Sequence, residues 1–283
     1  MRKWKLAGCI FACAGLLISC GQKNNDSGTS AKEETGKVTA TEAESVKDTV
    51  LPTEKATQEA LQTTAPNDAE GQLKVIADNK EMWLTNEKYS TYSYAVTDLN
   101  QDGRLEIVES VCEGTGIYTY TNIYEVSGDD SSLIQYESLL DEFTSQADLI
   151  TEKATVYYDK ENNIYHYIFE DLAKNGAAEY YENIRDWSLQ NGQIIEKFLA
   201  YRDTLYNAEG NAAITCEEQD ADGNRKEITE EEYNAIAEKR FAGMKKKTAN
   251  IRWIMKSPEE SADMNEEDIM AMLRESWEAF GIN

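Results

Sequence analysis

The chain has 283 residues, and its 53 Asp and Glu against 28 Lys and Arg give a formal net charge of -25. Phosphate backbones are bound by clustered Lys and Arg, so this balance excludes nucleic acid as a partner. At 41% hydrophobic and 10% aromatic residues the chain still holds enough apolar material for a packed core, which excludes disorder throughout.

Arg2, Lys3 and Lys5 open the chain, followed by the apolar run 6–18 (LAGCIFACAGLLI). A run of about 13 residues is too short for a membrane-spanning helix, which takes roughly 20. It fits the apolar region of an export signal. The run ends on Leu17-Ile18-Ser19-Cys20, which resembles the lipobox of bacterial lipoproteins. The resemblance implies a lipoprotein signal peptide over 1–19, cut before Cys20, and a diacylglyceryl group on the Cys20 thiol. The expected location is then the extracytoplasmic face of the cell membrane, with the lipid bilayer as a partner. Two acyl chains are what stable anchoring takes.

Residues 20–67 are rich in Thr, Glu, Ala, Lys, Ser and Gln, and no aromatic stands between Phe11 and Trp83. Such a stretch buries too little apolar surface to offset its ordering entropy, which predicts a disordered tether. The body is expected as a single domain over 68–283, without an internal repeat.

An opening helix over 69–85 places Leu73, Ile76, Ala77 and Leu84 on one face. Strands follow. Tyr92, Tyr94 and Val96 alternate with small polar residues, and 105–112 and 117–126 are β-branched and aromatic. The middle reads as hairpins: 155–158 turns at Asn162-Asn163 into 164–169, and 179–189 turns at Asn191-Gly192 into 193–205. Asp222-Gly223 marks a further turn. Thr229 with Glu232 forms a capping box for a helix whose buried stripe is Tyr233, Ile236, Ala237, Phe241 and Met244. Lys245, Lys246 and Lys247 fall at its solvated end, and 251–255 reads as a last strand. Asn265 caps a terminal helix with Ile269, Met272, Leu273, Trp277 and Phe280 on its face. The expected class is α+β, an antiparallel β-meander with an N-terminal helix and two C-terminal helices packed at its ends.

Residues 98–109 read DLNQDGRLEIVE. Asp98, Asn100 and Asp102 stand at positions 1, 3 and 5, and Gly103 takes the sharp turn at position 6. Arg104 offers its backbone carbonyl at 7, with Glu106 at 9 and Glu109 at 12. Alternate positions of a tight loop point oxygens inward, and the pattern resembles the EF-hand calcium loop. Strand-like flanks fit better the β-flanked calcium loops of FG-GAP-like repeats and other extracellular modules. That resemblance implies a weak structural calcium site, Kd on the order of 0.1–1 mM. It also favours Glu106 over Glu109 as the last carboxylate and leaves both open. An Asx-rich turn that binds nothing is the alternative. A second stretch, Asp220, Asp222, Gly223 and Asn224 with Glu231, has its glycine two positions early, as a hairpin turn would. With lipobox, tether and Trp83, the chain resembles surface lipoproteins of anaerobic Gram-positive bacteria over 1–126, and loosely over 228–236. Those carry no assigned activity, so the likeness implies location and calcium.

His166 is the one histidine, so no HExxH zinc site exists and any Ser–His or Cys–His pair must be built on it. It lies in an aromatic strand and is expected as a sheet residue with a partner. No catalytic residue is assigned. Cys112 and Cys216 are expected as separate buried thiols, with a long-loop disulfide as the other option. The expected function is a non-enzymatic binding module for an unknown surface ligand or protein. Its tyrosine-rich strands serve either as sheet packing or as a sugar- or peptide-binding face. The alternatives are a carboxylate-based hydrolase of cell-wall or dietary glycan, and a purely structural partner in a membrane complex.

Overall fold

The computed structural model describes residues 69–283 apart from 86–89, 114–117 and 141–145. All of them fall within one compact unit, Ala60–Asn283. The expected signal peptide, Cys20 and tether lie outside the described residues.

The chain opens with α1 (Ala69–Asp78) and a 3-10 turn at Lys80–Met82, then β1 (Tyr92–Thr97), β2 (Glu106–Glu113) and β3 (Tyr118–Val126). Two short strands follow, β4 (Leu133–Gln135) and β5 (Glu137–Ser138). A run of hairpins comes next: β6 (Lys153–Asp159), β7 (Ile164–Asn175), β8 (Glu179–Gln190), β9 (Gln193–Tyr206), β10 (Ala212–Gln219) and β11 (Arg225–Ile228). The remainder alternates: α2 (Glu230–Asn234), α3 (Ile236–Arg240), β12 (Lys245–Asn250), β13 (Ile254–Lys256), α4 (Pro258–Ala262), α5 (Glu266–Ala279) and β14 (Gly281–Ile282).

The class is α+β, as the patterning predicts, and the strands form two sheets. The first has the order β13-β1-β2-β3-β4 and the second β11-β10-β9-β8-β7-β6-β12-β14, with β5 beside β9. Apart from the parallel β5–β9 contact, the ladders are antiparallel. Three apolar layers hold the assembly. Leu73 and Ile76 of α1 and Ile269 and Leu273 of α5 pack on Tyr94, Val96 and Ile107. Ala95, Val108 and Ile123 point the other way and meet Val156, Tyr167 and Trp187 of the second sheet. Beyond that sheet, Tyr157, Leu199 and Cys216 are covered by Tyr233, Ile236 and Phe241. The helices therefore lie on the outer sheet faces, and β1, covered on both sides, is buried at every residue.

Local chemistry fixes the turns and caps. Asn191 and Gly192 both take positive φ, 52° and 76°, the pair that a two-residue hairpin needs. The capping boxes at Thr229–Glu232 and Asn265–Asp268 both form. Elsewhere tertiary pairing overrides the pattern. The helix expected through Met244 breaks at Ala235 and ends at Arg240. The reason is β12, which takes Lys245–Asn250 into a ladder with β6, so the three lysines sit on a strand and not at a helix end. The expected last strand shrinks to Ile254–Lys256, because 251–253 carries the chain from one sheet to the other. The opening helix stops at Asp78, and Trp83 folds back to donate its indole N–H to the Ile76 carbonyl at 2.8 Å.

Candidate metal centre

Residues 98–105 form the loop between β1 and β2, whose ladder closes at Thr97 opposite Glu106. The loop folds around its own acceptors. Asp98 Oδ1 accepts the Asp102 N–H at 3.0 Å, and its Oδ2 accepts the Gly103 N–H at 3.2 Å. Asn100 Oδ1 also accepts from Asp102 N–H at 3.1 Å, and Asp102 Oδ1 accepts from Arg104 N–H at 2.9 Å. Gly103 sits at φ 89°, where a side chain would strain the turn. Two neighbours clamp the loop. Gln72 of α1 donates to the Gly103 carbonyl at 3.0 Å and accepts from the Leu105 N–H at 2.7 Å. From the second sheet, the Tyr167 hydroxyl donates to the Leu99 carbonyl at 2.8 Å.

Glu106 is 0% exposed. Its Oε2 accepts from Thr97 Oγ1 and Leu99 N–H, both at 2.9 Å, while its Oε1 is buried with no hydrogen-bond partner. Directly across the ladder stands Glu125 of β3, 3% exposed. Its Oε2 accepts from the Tyr136 hydroxyl at 2.6 Å and from Asn100 Nδ2 at 3.3 Å. Its Oε1 faces Arg104 Nη2 at 2.6 Å, and the same nitrogen lies 2.8 Å from Asp102 Oδ2.

The acids are packed more tightly than their charges favour. Burial pushes the Glu106 carboxyl well above the usual carboxylate range, and the charge of Asp98 adds to the shift. Asp98 is pushed up to about 6, by burial first and by Asp102 second. Burial raises Glu125 as well. Like charges opposed on one face of a ladder destabilise it, so the cluster calls for more positive charge than Arg104 supplies.

The fold thus gathers Asp98, Asn100, Asp102, the Arg104 carbonyl and Glu106 into one loop. Glu109 is not brought there. Three residues along β2 it faces the opposite side of the sheet, where it accepts from Asn122 Nδ2 at 3.0 Å and where burial first, and its charge second, push the Tyr94 and Tyr124 hydroxyls above their ordinary pKa. Among the described residues, no three acidic, thiol or imidazole side chains already converge as a finished ligand set, since the loop oxygens are turned to backbone N–H groups. The donor set fits a hard cation such as calcium or magnesium, being all oxygen and without thiol or imidazole. Glu125, Tyr136 and Gln72 carry no spacing signal. They become visible only through the β2–β3 register and the α1 packing face.

The other candidates are quieter. Asp220 is spent on its own turn, accepting the Asp222 and Asn224 N–H groups at 2.9 and 2.8 Å, with Gly223 at φ 84°. His166 holds Asp186 at 2.8 Å and packs on Phe241, beside a groove of about 560 Å³ that Lys197 and Arg240 also line. Cys216 is a free, buried thiol, and the Cys112 side chain lies outside the described residues. The tyrosines are divided among layers: Tyr124, Tyr157 and Tyr167 are buried in three different clusters, and Tyr120 is exposed. No helix among the described residues is long and apolar enough to cross a membrane.

No protein-family model matches the chain, and no curated protein matches it. Among solved structures, a Xanthomonas Type IV Secretion System related protein is similar over 47% of this chain and 56% of its own, at 16% identity and a TM-score of 0.28. The chain thus spans little more than half the length of that protein, and a likeness so slight carries no argument about function.

Proposed function

We propose that this chain is a lipid-anchored extracytoplasmic lipoprotein whose β-rich body is braced by calcium in the 98–106 loop and acts as a non-enzymatic binding module. The observation that carries the calcium reading is Glu106 Oε1, a carboxylate oxygen sealed in the interior with no donor. A buried polar atom without a partner costs about 1–3 kcal/mol, and a cation beside Asp98 and Glu106 removes that cost. Asp98, Asn100, Asp102, Glu106 and the Arg104 carbonyl would hold the ion, which supplies positive charge and no reaction. Binding is favoured over glycan hydrolysis because the carboxylates set opposite each other, Glu106 and Glu125, are 0% and 3% exposed and out of reach of a polymer. The anchor rests on Leu17-Ile18-Ser19-Cys20.

The test is a thermal melt of the full chain in EDTA, in 2 mM calcium and in 2 mM magnesium, beside Asp98→Ala and Asp102→Ala. At a Kd near 0.2 mM, calcium adds roughly 1.4 kcal/mol by mass action, or about 3–6 °C for a body of this size. Neither variant should respond. Equal responses from all three proteins would reduce the loop to a turn. For the anchor, Cys20→Ser should move the protein from the membrane to the soluble fraction, and retention in the membrane fraction would overturn the anchor.

A further inference from the structure

Arg104 Nη2 lies 2.8 Å from Asp102 Oδ2 and 2.6 Å from Glu125 Oε1. Calcium–oxygen bonds run about 2.3–2.6 Å, so one nitrogen of the guanidinium occupies a point where a metal ion would touch both oxygens after a small contraction. Glu125 comes from β3, outside the loop, and is the direct cross-strand partner of Glu106. Asn100 joins the two groups, since its Oδ1 serves the loop and its Nδ2 reaches Glu125. The loop and the β3 strand therefore meet at this guanidinium, and the positive group between Asp102 and Glu125 is the protein's own arginine.

We infer that Arg104 is the resident cation of the metal-free protein, and that calcium entry displaces its guanidinium and recruits Glu125 into the ligand set. This rests on the calcium reading of the loop. Displacement is open to Arg104 because its side chain is 34% exposed and swings to water at little cost, whereas Glu106 and Glu125 are buried and stay. The Arg104 carbonyl keeps its place at position 7 whichever way the side chain points. An ion that must evict a competing charge binds more weakly than the same oxygens would otherwise allow. The arginine therefore sets the affinity while keeping the empty pocket stable.

Calcium titration calorimetry on the full chain tests this with wild type, Arg104→Gln, Glu125→Gln and Asp98→Asn. Arg104→Gln should bind about tenfold tighter or more, because a unit charge beside the ion is removed at an effective dielectric near 20. It should also melt below wild type in EDTA and at or above it in saturating calcium. Glu125→Gln should bind at least about tenfold more weakly. If wild type binds and Asp98→Asn does not, while Arg104→Gln and Glu125→Gln both match wild type, the loop site stands and the displacement idea falls. If wild type takes up no calcium, the loop reading fails and this inference with it. Arg104→Gln keeps the test readable should Glu125→Gln fail to fold, since it alters only a partly exposed side chain.

Discussion

Replacing Glu106 by Gln keeps the shape of the side chain and the acceptor for Thr97 and Leu99, and removes its capacity to ionise. An amide there can donate as well as accept and does not repel Asp98, whose charge acts on this carboxyl. In EDTA at pH 7.5 the variant should therefore be more stable than wild type, by about 1–3 kcal/mol, the usual penalty of a buried unsatisfied group. That is about 2–12 °C for a body of this length. In 2 mM calcium the order should narrow or reverse, because wild type gains roughly 1.4 kcal/mol and the variant, short of its anionic ligand, gains nothing. Urea denaturation followed by tryptophan fluorescence reads both numbers, and Trp83 and Trp187, each buried in a different core layer, report on both sheets. A Glu106→Gln protein that is less stable than wild type in EDTA refutes the argument that this carboxylate is under-compensated. One that answers calcium as wild type does refutes its role as a ligand.

Asp98 gives a pH signature. Its folded pKa, about 6, lies above its ordinary 3.8, so the native state holds that proton more tightly. The resulting stability is complete below about pH 4 and is lost as pH rises through 6. Wild-type stability minus that of Asp98→Asn should fall across this window by up to about 3 kcal/mol in EDTA, and calcium should flatten the curve; a flat curve in EDTA would contradict the burial of Asp98. Gln72→Ala leaves the Leu105 N–H and the Gly103 carbonyl without their partner, so it should cost about 2–3 kcal/mol and weaken calcium binding as the loop loosens. Asn265→Ala, at the N-cap of α5, should cost about 1 kcal/mol and leave the calcium response unchanged, which separates general destabilisation from loss of the site.

Short-range chemistry is what the sequence spells out. Asn191-Gly192 names its turn because few residue pairs tolerate positive φ twice, and Thr229 and Asn265 name their helix starts because their side chains reach only as far as N3. The loop at 98–106 is legible for the same reason, with its ligand spacing and turn glycine inside one short segment. What escaped depends on contacts between distant segments. Ala212–Gln219 mixes Ala, Ile and Cys with Thr, Glu and Gln without a strand-like alternation, is exposed over its first half, and becomes a strand where β9 offers an edge. Lys245–Lys247 looks like a helix end until β6 claims it. Glu125 is a ligand candidate only once β2 and β3 are set in register, since nothing in the residues around it differs from an ordinary acidic strand. Glu106 and Glu109 are separable by strand parity alone, but only after it is clear that Glu106 opens the strand.

The last stretch of chain, from β12 onward, does a job in every layer. β12 covers the edge of β6, β13 covers the edge of β1, and α5 packs beside α1, with Arg274 paired to Glu70 at 2.8 Å. While the ribosome is still short of these residues, the emerging polypeptide presents two long, unpaired strand edges and a bare apolar sheet face, the surfaces on which nascent chains aggregate. A chain stopped after β11 should therefore aggregate where the longer chain folds, which expression with and without residues 245–283 would show.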